Sequence, residues 1–266
     1  MRAIGAMVRA GWQVARTYRV ALFSSVLSLF LTIIPLYFVA TALQPTMANV
    51  IRAESSSFFA FTFLGMMVVA ILPTCVNTLG SALGGGISTG TLEMMLTTPT
   101  RTPQVLIGLV GYEFVWAVVR SMLSLGVGMA FGVRIALHGF LPGLGVLMLI
   151  LAAYTAIGLG VAALILAFRS TGPIPSLILT GSALLGGVYF PTFVIPSWVE
   201  RVSVIIPLSY GLRALRKLWL TDAPFADVSA DVMSLTFLTV LFAVASTALF
   251  TYVLRDARRR GTLGVY

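Results

Sequence analysis

Apolar residues gather in six long runs, at positions 20–43, 58–80, 105–131, 143–168, 174–192 and 232–254, each bounded by charge, proline or glycine. A helix needs about 20 mostly apolar residues to cross a bilayer, so each run is predicted to be a transmembrane helix. The first run contains an Ala40-Thr41-Ala42 triplet like a signal-cleavage site. It is about twice the length of a signal-peptide core, however, and reads as a span.

Composition supports this pattern: 59% of the 266 residues are hydrophobic and 9% charged, where soluble domains carry about 25% charge. A water-soluble fold is excluded, and the chain is predicted to be an all-α polytopic membrane protein forming one domain over 1–266. With the N-terminus inside, the inner loops and ends hold ten basic residues against the acids Glu93 and Asp256. The outer side holds six basic residues and five acids. The positive-inside bias therefore places both termini in the cytoplasm. The basic excess faces anionic membrane lipid, and nucleic acid is not called for.

Three shorter segments have patterns of their own. In 1–19, Arg2, Arg9 and Arg16 recur every seven residues, while Ile4, Val8, Trp12 and Ala15 occupy another face. That split predicts an amphipathic helix lying in the inner interface, anchored by Trp12. On the outer side, 193–220 reads as two short helices. Ser197 and Glu200 form a capping box for the first, and Pro207 ends it. Ser209 then caps a second helix with Leu208, Leu212, Leu215 and Trp219 on one face. Arg213, Arg216 and Lys217 lie on the other face, reaching toward headgroups. Neither helix is long enough to span, so the pair is expected to dip into, or lie on, the outer leaflet. The third segment, GGGISTGTLEMMLTTPTRTP, is a polar island on the inner loop between spans 2 and 3. Gly90 caps it, Glu93 sits at the third helical position against the dipole, and Pro99 stops it. A short helix within 88–99 results, presenting Leu92, Met95 and Leu96, and it needs a docking partner to be stable.

Catalytic chemistry is nearly absent. Cys75 is a lone buried-type cysteine and His138 a lone loop histidine, so neither builds a metal or redox site. Gly84-Gly85-Gly86 lacks the lysine of a phosphate-binding P-loop, and Lys217 is the only lysine in the chain. The chain is not an ATPase. Glu113 and Arg120 lie seven apart within span 3, where a charge costs at least about 2.5–3.5 kcal/mol. They read first as a structural pair and second as the polar centre of a secondary carrier or channel. Phe58, Phe59, Phe61, Phe63, Met66, Met67, Tyr189 and Phe190 are expected to line a path suited to an amphiphile: a drug, antibiotic or lipid.

The run Gly90-Thr91-Leu92-Glu93-Met94-Met95-Leu96-Thr97-Thr98-Pro99, followed by Arg101, resembles the G-T-L-E-x-L-L-x-[TS]-P signature of type-2 ATP-binding-cassette exporter permeases. Ile206-Pro207-Leu208-Ser209-Tyr210 is similar to the N-P-L-[ST]-Y turn of that family's outer helix pair. The resemblance implies that 88–99 is a coupling helix seated on an ATP-binding-cassette ATPase. Gly90, Thr91, Leu92, Glu93, Met95, Leu96, Pro99 and Arg101 would then form the contact. It also implies two ATPase copies carrying ATP and Mg, none of which this chain binds itself. A second permease copy or paralogue would complete a path between spans 2 and 5, in a bacterial cytoplasmic membrane.

Overall fold

The computed structural model describes residues 19–52, 54–88, 102–168, 172–191, 201 and 203–260, whose regular structure is helical, with no strand among them. Helix α1 (Arg19–Ile51) continues eight residues past its predicted end, through Pro35 and Pro45. A proline removes one helical hydrogen bond, and a long membrane helix tolerates that loss. The last turns of α1 are tied to the segment that leads into the next helix. Gln44 accepts from the Phe58 amide at 2.6 Å and donates to the Ser56 carbonyl at 3.1 Å.

The predicted second span is two helices, α2 (Phe58–Val69) and α3 (Leu72–Ser88). The break has a local cause: Pro73 has no amide to offer the Val69 carbonyl, and its ring clashes there. Ser57 caps α2, its hydroxyl accepting from the Ala60 amide. Helix α3 divides into two faces. Leu72, Cys75, Val76, Leu79 and Gly80 are buried, whereas Asn77 and Ser81 are exposed and Thr74 and Thr78 half-buried.

Helix α4 (Thr102–Ala130) ends in a Schellman motif. Gly132, at φ 95°, donates to Met129, and the Val133 amide reaches back to Gly128. Helix α5 (Leu137–Phe168) starts six residues earlier than predicted, with Pro142 inside it. It is the centre of the bundle, packing on α3 and on the helices Pro207–Leu220 and Ser229–Arg260. Close approach is built from glycine: a Cβ at Gly158 would lie 2.5 Å from the Cys75 carbonyl.

Helix α6 (Ile174–Leu185) stops at Gly186 and Gly187, the latter at φ 77°. Its 12 residues reach about 18 Å, short of a bilayer core of about 30 Å. Helix α7 (Pro207–Leu220) and a 3₁₀ turn (Phe225–Val228) lead into α8 (Ser229–Arg260).

Four described segments are long and apolar enough to cross a membrane: Leu31–Ile51, Phe58–Ser81, Leu137–Phe168 and Phe225–Asp256. Phe114–Ala130 and Ile174–Leu185 are shorter apolar helices. The outward faces of α1 and α8 expose Leu31, Phe38, Val39, Met233, Phe237 and Val244, as a lipid-contacting surface does.

Candidate functional site: a buried arginine joining three segments

The predicted site residues fall into three groups. Gly90, Thr91, Leu92, Glu93, Met95, Leu96, Pro99 and Arg101 lie outside the described residues, between α3 and α4, as do Ser197, Glu200 and the 1–18 segment. Glu113 and Arg120 are both on α4. Arg120 is half-buried, and its Nε is buried with no hydrogen-bond partner among the described residues. Pro207 and Tyr210 are on α7 and belong to the best-defined polar constellation in the structure.

Pro207 occupies the first position of α7, where a missing amide costs nothing, and Ile206 is the N-cap. The helix thus begins two residues before the cap expected at Ser209, whose hydroxyl instead donates to the Ser203 carbonyl. Leu208, Leu212, Leu215 and Trp219 form the buried face, as their spacing predicts. The seat for its far end is two glycines of α5. A Cβ at Gly139 would fall 1.8 Å from the Leu218 carbonyl, and one at Gly143 would fall 2.0 Å from the Trp219 indole nitrogen. Trp219 Nε1 also donates to the Phe140 carbonyl at 3.2 Å.

Arg216 departs from the expected headgroup orientation: it is 1% exposed. Its Nε donates to the Phe61 carbonyl at 3.1 Å, its Nη1 to the Gly187 carbonyl at 2.8 Å, and its Nη2 to the Val188 carbonyl at 2.9 Å. Nη1 also reaches Glu54 Oε2 at 3.2 Å, a carboxylate that is itself buried. The guanidinium lies 3.4 Å from the centre of the Phe61 ring. One side chain thereby fastens α7 to the start of α2, to the loop before it and to the turn after α6. Burial pushes the Arg216 guanidinium down to about 10, with Glu54 opposing, so it stays charged at neutral pH. Gly65 makes room for it, since a Cβ there would lie 2.8 Å from Arg216 Nη2.

The other two cations of α7 also point to protein. Arg213 donates through Nε at 2.9 Å and Nη2 at 2.5 Å to Asp231 in the first turn of α8, and stacks on Tyr210 at 5.4 Å. Lys217 approaches the same carboxylate at 3.9 Å. The helical spacing missed Arg216 because it sits on the boundary between the two faces, four residues from Leu212 and three from Arg213. The one available signal was Glu54, a carboxylate beside an apolar run.

A cleft of about 430 Å³ runs between α5, α6 and α8, lined by Ile157, Val161, Ile178 and Phe242 with the hydroxyl residues Ser182 and Ser246. Ile206 and Pro207 also line it. Helix α7 therefore starts beside Phe242, about 20 Å along α8 from Ser229, deep among the apolar helices. The aromatic lining expected from the sequence is mostly packed inside the chain. Phe58, Phe59, Phe61, Phe63 and Met67 are buried in the core and Met66 is half-buried, leaving Tyr189 and Phe190 exposed. Aromatic side chains on a first-turn cluster pack inward as readily as they line a pore, and the spacing does not distinguish the two.

Residues 2–220 match the family model described as ABC-2 type transporter. The chain is similar to Nodulation protein J of Bradyrhizobium diazoefficiens, 29% identical over 208 residues, covering 75% of this chain and 76% of that protein. Nodulation protein J of Rhizobium leguminosarum bv. viciae is 25% identical over 205 residues, covering 74% and 76%.

Proposed function

Because the chain belongs to the ABC-2 type transporter family, the membrane component of ABC transporters, we propose that it is the permease subunit of an ATP-driven exporter. The observation that carries this reading is the extent of the family match, which takes in the Gly90–Pro99 segment.

In this reading the membrane is crossed six times, by Thr102–Ala130 and the short α6 with its following turn as well as by the four longer segments. Both termini are cytoplasmic. Residues 88–99 dock on an ATPase subunit, with Leu92, Met95 and Leu96 as the apolar contact, Glu93 as cap and polar contact, and Arg101 at the edge. Two permease copies and two ATPase subunits form the working unit. ATP and Mg bind to the ATPase subunits alone. Helix α7 is the outer re-entrant element, which fits its start beside Ser182 and Phe242. ATP binding draws the ATPase subunits together, displaces the coupling helices and favours an outward-open state, and hydrolysis resets the cycle. The cargo is an amphiphile, in keeping with the polar face of α3 among apolar helices.

Purification from native membranes tests this. An ATPase chain is expected to copurify, and reconstituted transport is expected to need ATP. Transport by the purified chain alone, without ATP, would overturn the reading in favour of a secondary carrier built on Glu113 and Arg120.

A further inference from the structure

Helix α6 packs mainly on α3 and α7, and the apolar cleft holds it away from α5 and α8. The facing walls, with Ile157, Val161 and Phe242, belong to two of the long membrane-crossing segments. At the rim Ile174 and Leu249 are exposed, so the cleft opens sideways onto bilayer hydrocarbon. Its volume of about 430 Å³ lies within the range of ligand pockets, roughly 300–1,000 Å³.

A purely apolar space would accept any hydrocarbon chain, but two hydroxyl residues line this one. Ser182 of α6 and Ser246 of α8 are both buried. Other hydroxyls of α5 and α8, those of Thr155, Ser234 and Thr239, bond a carbonyl one turn back on their own helix. Neither Ser182 nor Ser246 does so among the described residues. A Cβ at Gly160 would lie 2.9 Å from Ser246 Oγ, so the glycine leaves that hydroxyl its room. Behind Ser182 stands the Tyr154 hydroxyl, fully buried. It comes close to the Ser182 side chain and the Leu208 backbone but reaches good hydrogen-bonding geometry with neither. Leu208 is in the first turn of α7, whose N-cap Ile206 supplies no side-chain acceptor. A phenol, a seryl hydroxyl and the amide end of a helix therefore meet at one end of the cleft. Unmade hydrogen bonds are costly there, and an oxygen with partial negative charge is favoured.

We propose that the cleft between α5, α6 and α8 is a binding site for a neutral alkyl amphiphile that enters sideways from the bilayer. Its chain lies against Ile157, Val161, Ile178 and Phe242, and its hydroxyl or carbonyl oxygen meets the hydroxyls of Ser182 and Ser246. The lining selects the occupant: it contains no charged residue to pair an ionic head group, and an unpaired ion is expelled from such a space. Because Ile206 and Pro207 also line the cleft, the occupant touches the start of α7 and bears on the seat of that helix. This site lies beyond the export reading and does not depend on it.

The full-length chain in phosphatidylcholine nanodiscs is irradiated with a decanol that carries a diazirine in its chain, and the adducts are mapped by mass spectrometry. Saturable labelling is expected on the peptides that contain Ile157, Ile178 and Phe242. Unlabelled decanol should compete about three- to tenfold better than decane at equal mole fraction in the bilayer, the effect of one neutral hydrogen bond. Decyl sulfate should compete less well than decanol. Ser182→Ala combined with Ser246→Ala should lower decanol to the level of decane while labelling persists. Ile178→Trp should fill the cleft and abolish labelling, whereas Leu177→Trp, on the exposed side of the same helix, should leave it. Labelling spread over lipid-facing residues such as Phe237 and Val244 would overturn the site, as would equal competition by decanol and decane in the unaltered chain. A disulfide between two copies carrying Ile178→Cys would place a second copy in the cleft and would also overturn it. No ATPase subunit is present in this assay, so its result is independent of whether one copurifies.

Discussion

The Arg216 guanidinium stacks on the Phe61 ring at 3.4 Å while its Nε donates to that same residue's carbonyl at 3.1 Å. Ring and carbonyl together fix the approach of α7 to α2 in both distance and rotation. Removing the guanidinium leaves Glu54 buried and three carbonyls without their donor. Arg216→Met is therefore expected to destabilise the protein by about 3–5 kcal/mol, read by denaturant unfolding in nanodiscs. Adding Glu54→Leu should recover part of that loss, because the carboxylate is then no longer buried unpaired.

Gly65 and Gly126 form a matched pair. A Cβ at Gly65 meets Arg216 Nη2 and the Val188 carbonyl at 2.8 Å each, whereas one at Gly126 meets nothing within 4 Å. Gly65→Ala is expected to cost about 1–3 kcal/mol by overpacking, measured in the same unfolding assay. Gly126→Ala should be neutral or slightly stabilising, because it raises helix propensity without a clash.

Asp231 holds Arg213 and Lys217 in a partly solvated cluster. Asp231→Asn should cost about 1 kcal/mol or less, and the difference should shrink as salt is raised. An effect as large as that of Arg216→Met would show that the cluster is desolvated in the assembled transporter.

The coupling role proposed for 88–99 is tested through Glu93 and Leu96. Glu93→Ala combined with Leu96→Asp is expected to abolish substrate-stimulated ATPase activity in the reconstituted complex. Membrane insertion, followed by protease protection, should be unchanged. Normal stimulation in the double variant would remove the coupling role.

Apolar runs located the long helices because a bilayer imposes length and hydropathy directly on the sequence. Their ends were less legible. Pro45 and Pro142 read as boundaries but lie inside α1 and α5, since one missing amide does not end a helix supported by its neighbours. Pro73 acts in the opposite way, splitting a run that hydropathy alone joins. The buried face of α7 was legible from its leucine spacing. The direction of Arg216 was not, because its partners come from residues 155 and 162 positions away, and no local periodicity encodes them.

That sequence separation sets an order of assembly. Glu54 and the Phe61 carbonyl enter the membrane with the first helical hairpin, which Gln44 already clamps. Their common donor is synthesised 162 residues after Glu54. Until α7 arrives, the Glu54 carboxylate lacks the guanidinium that meets it in the folded chain. The nascent chain must keep that carboxylate hydrated over a defined interval of its synthesis. Completion of α7 closes the interval.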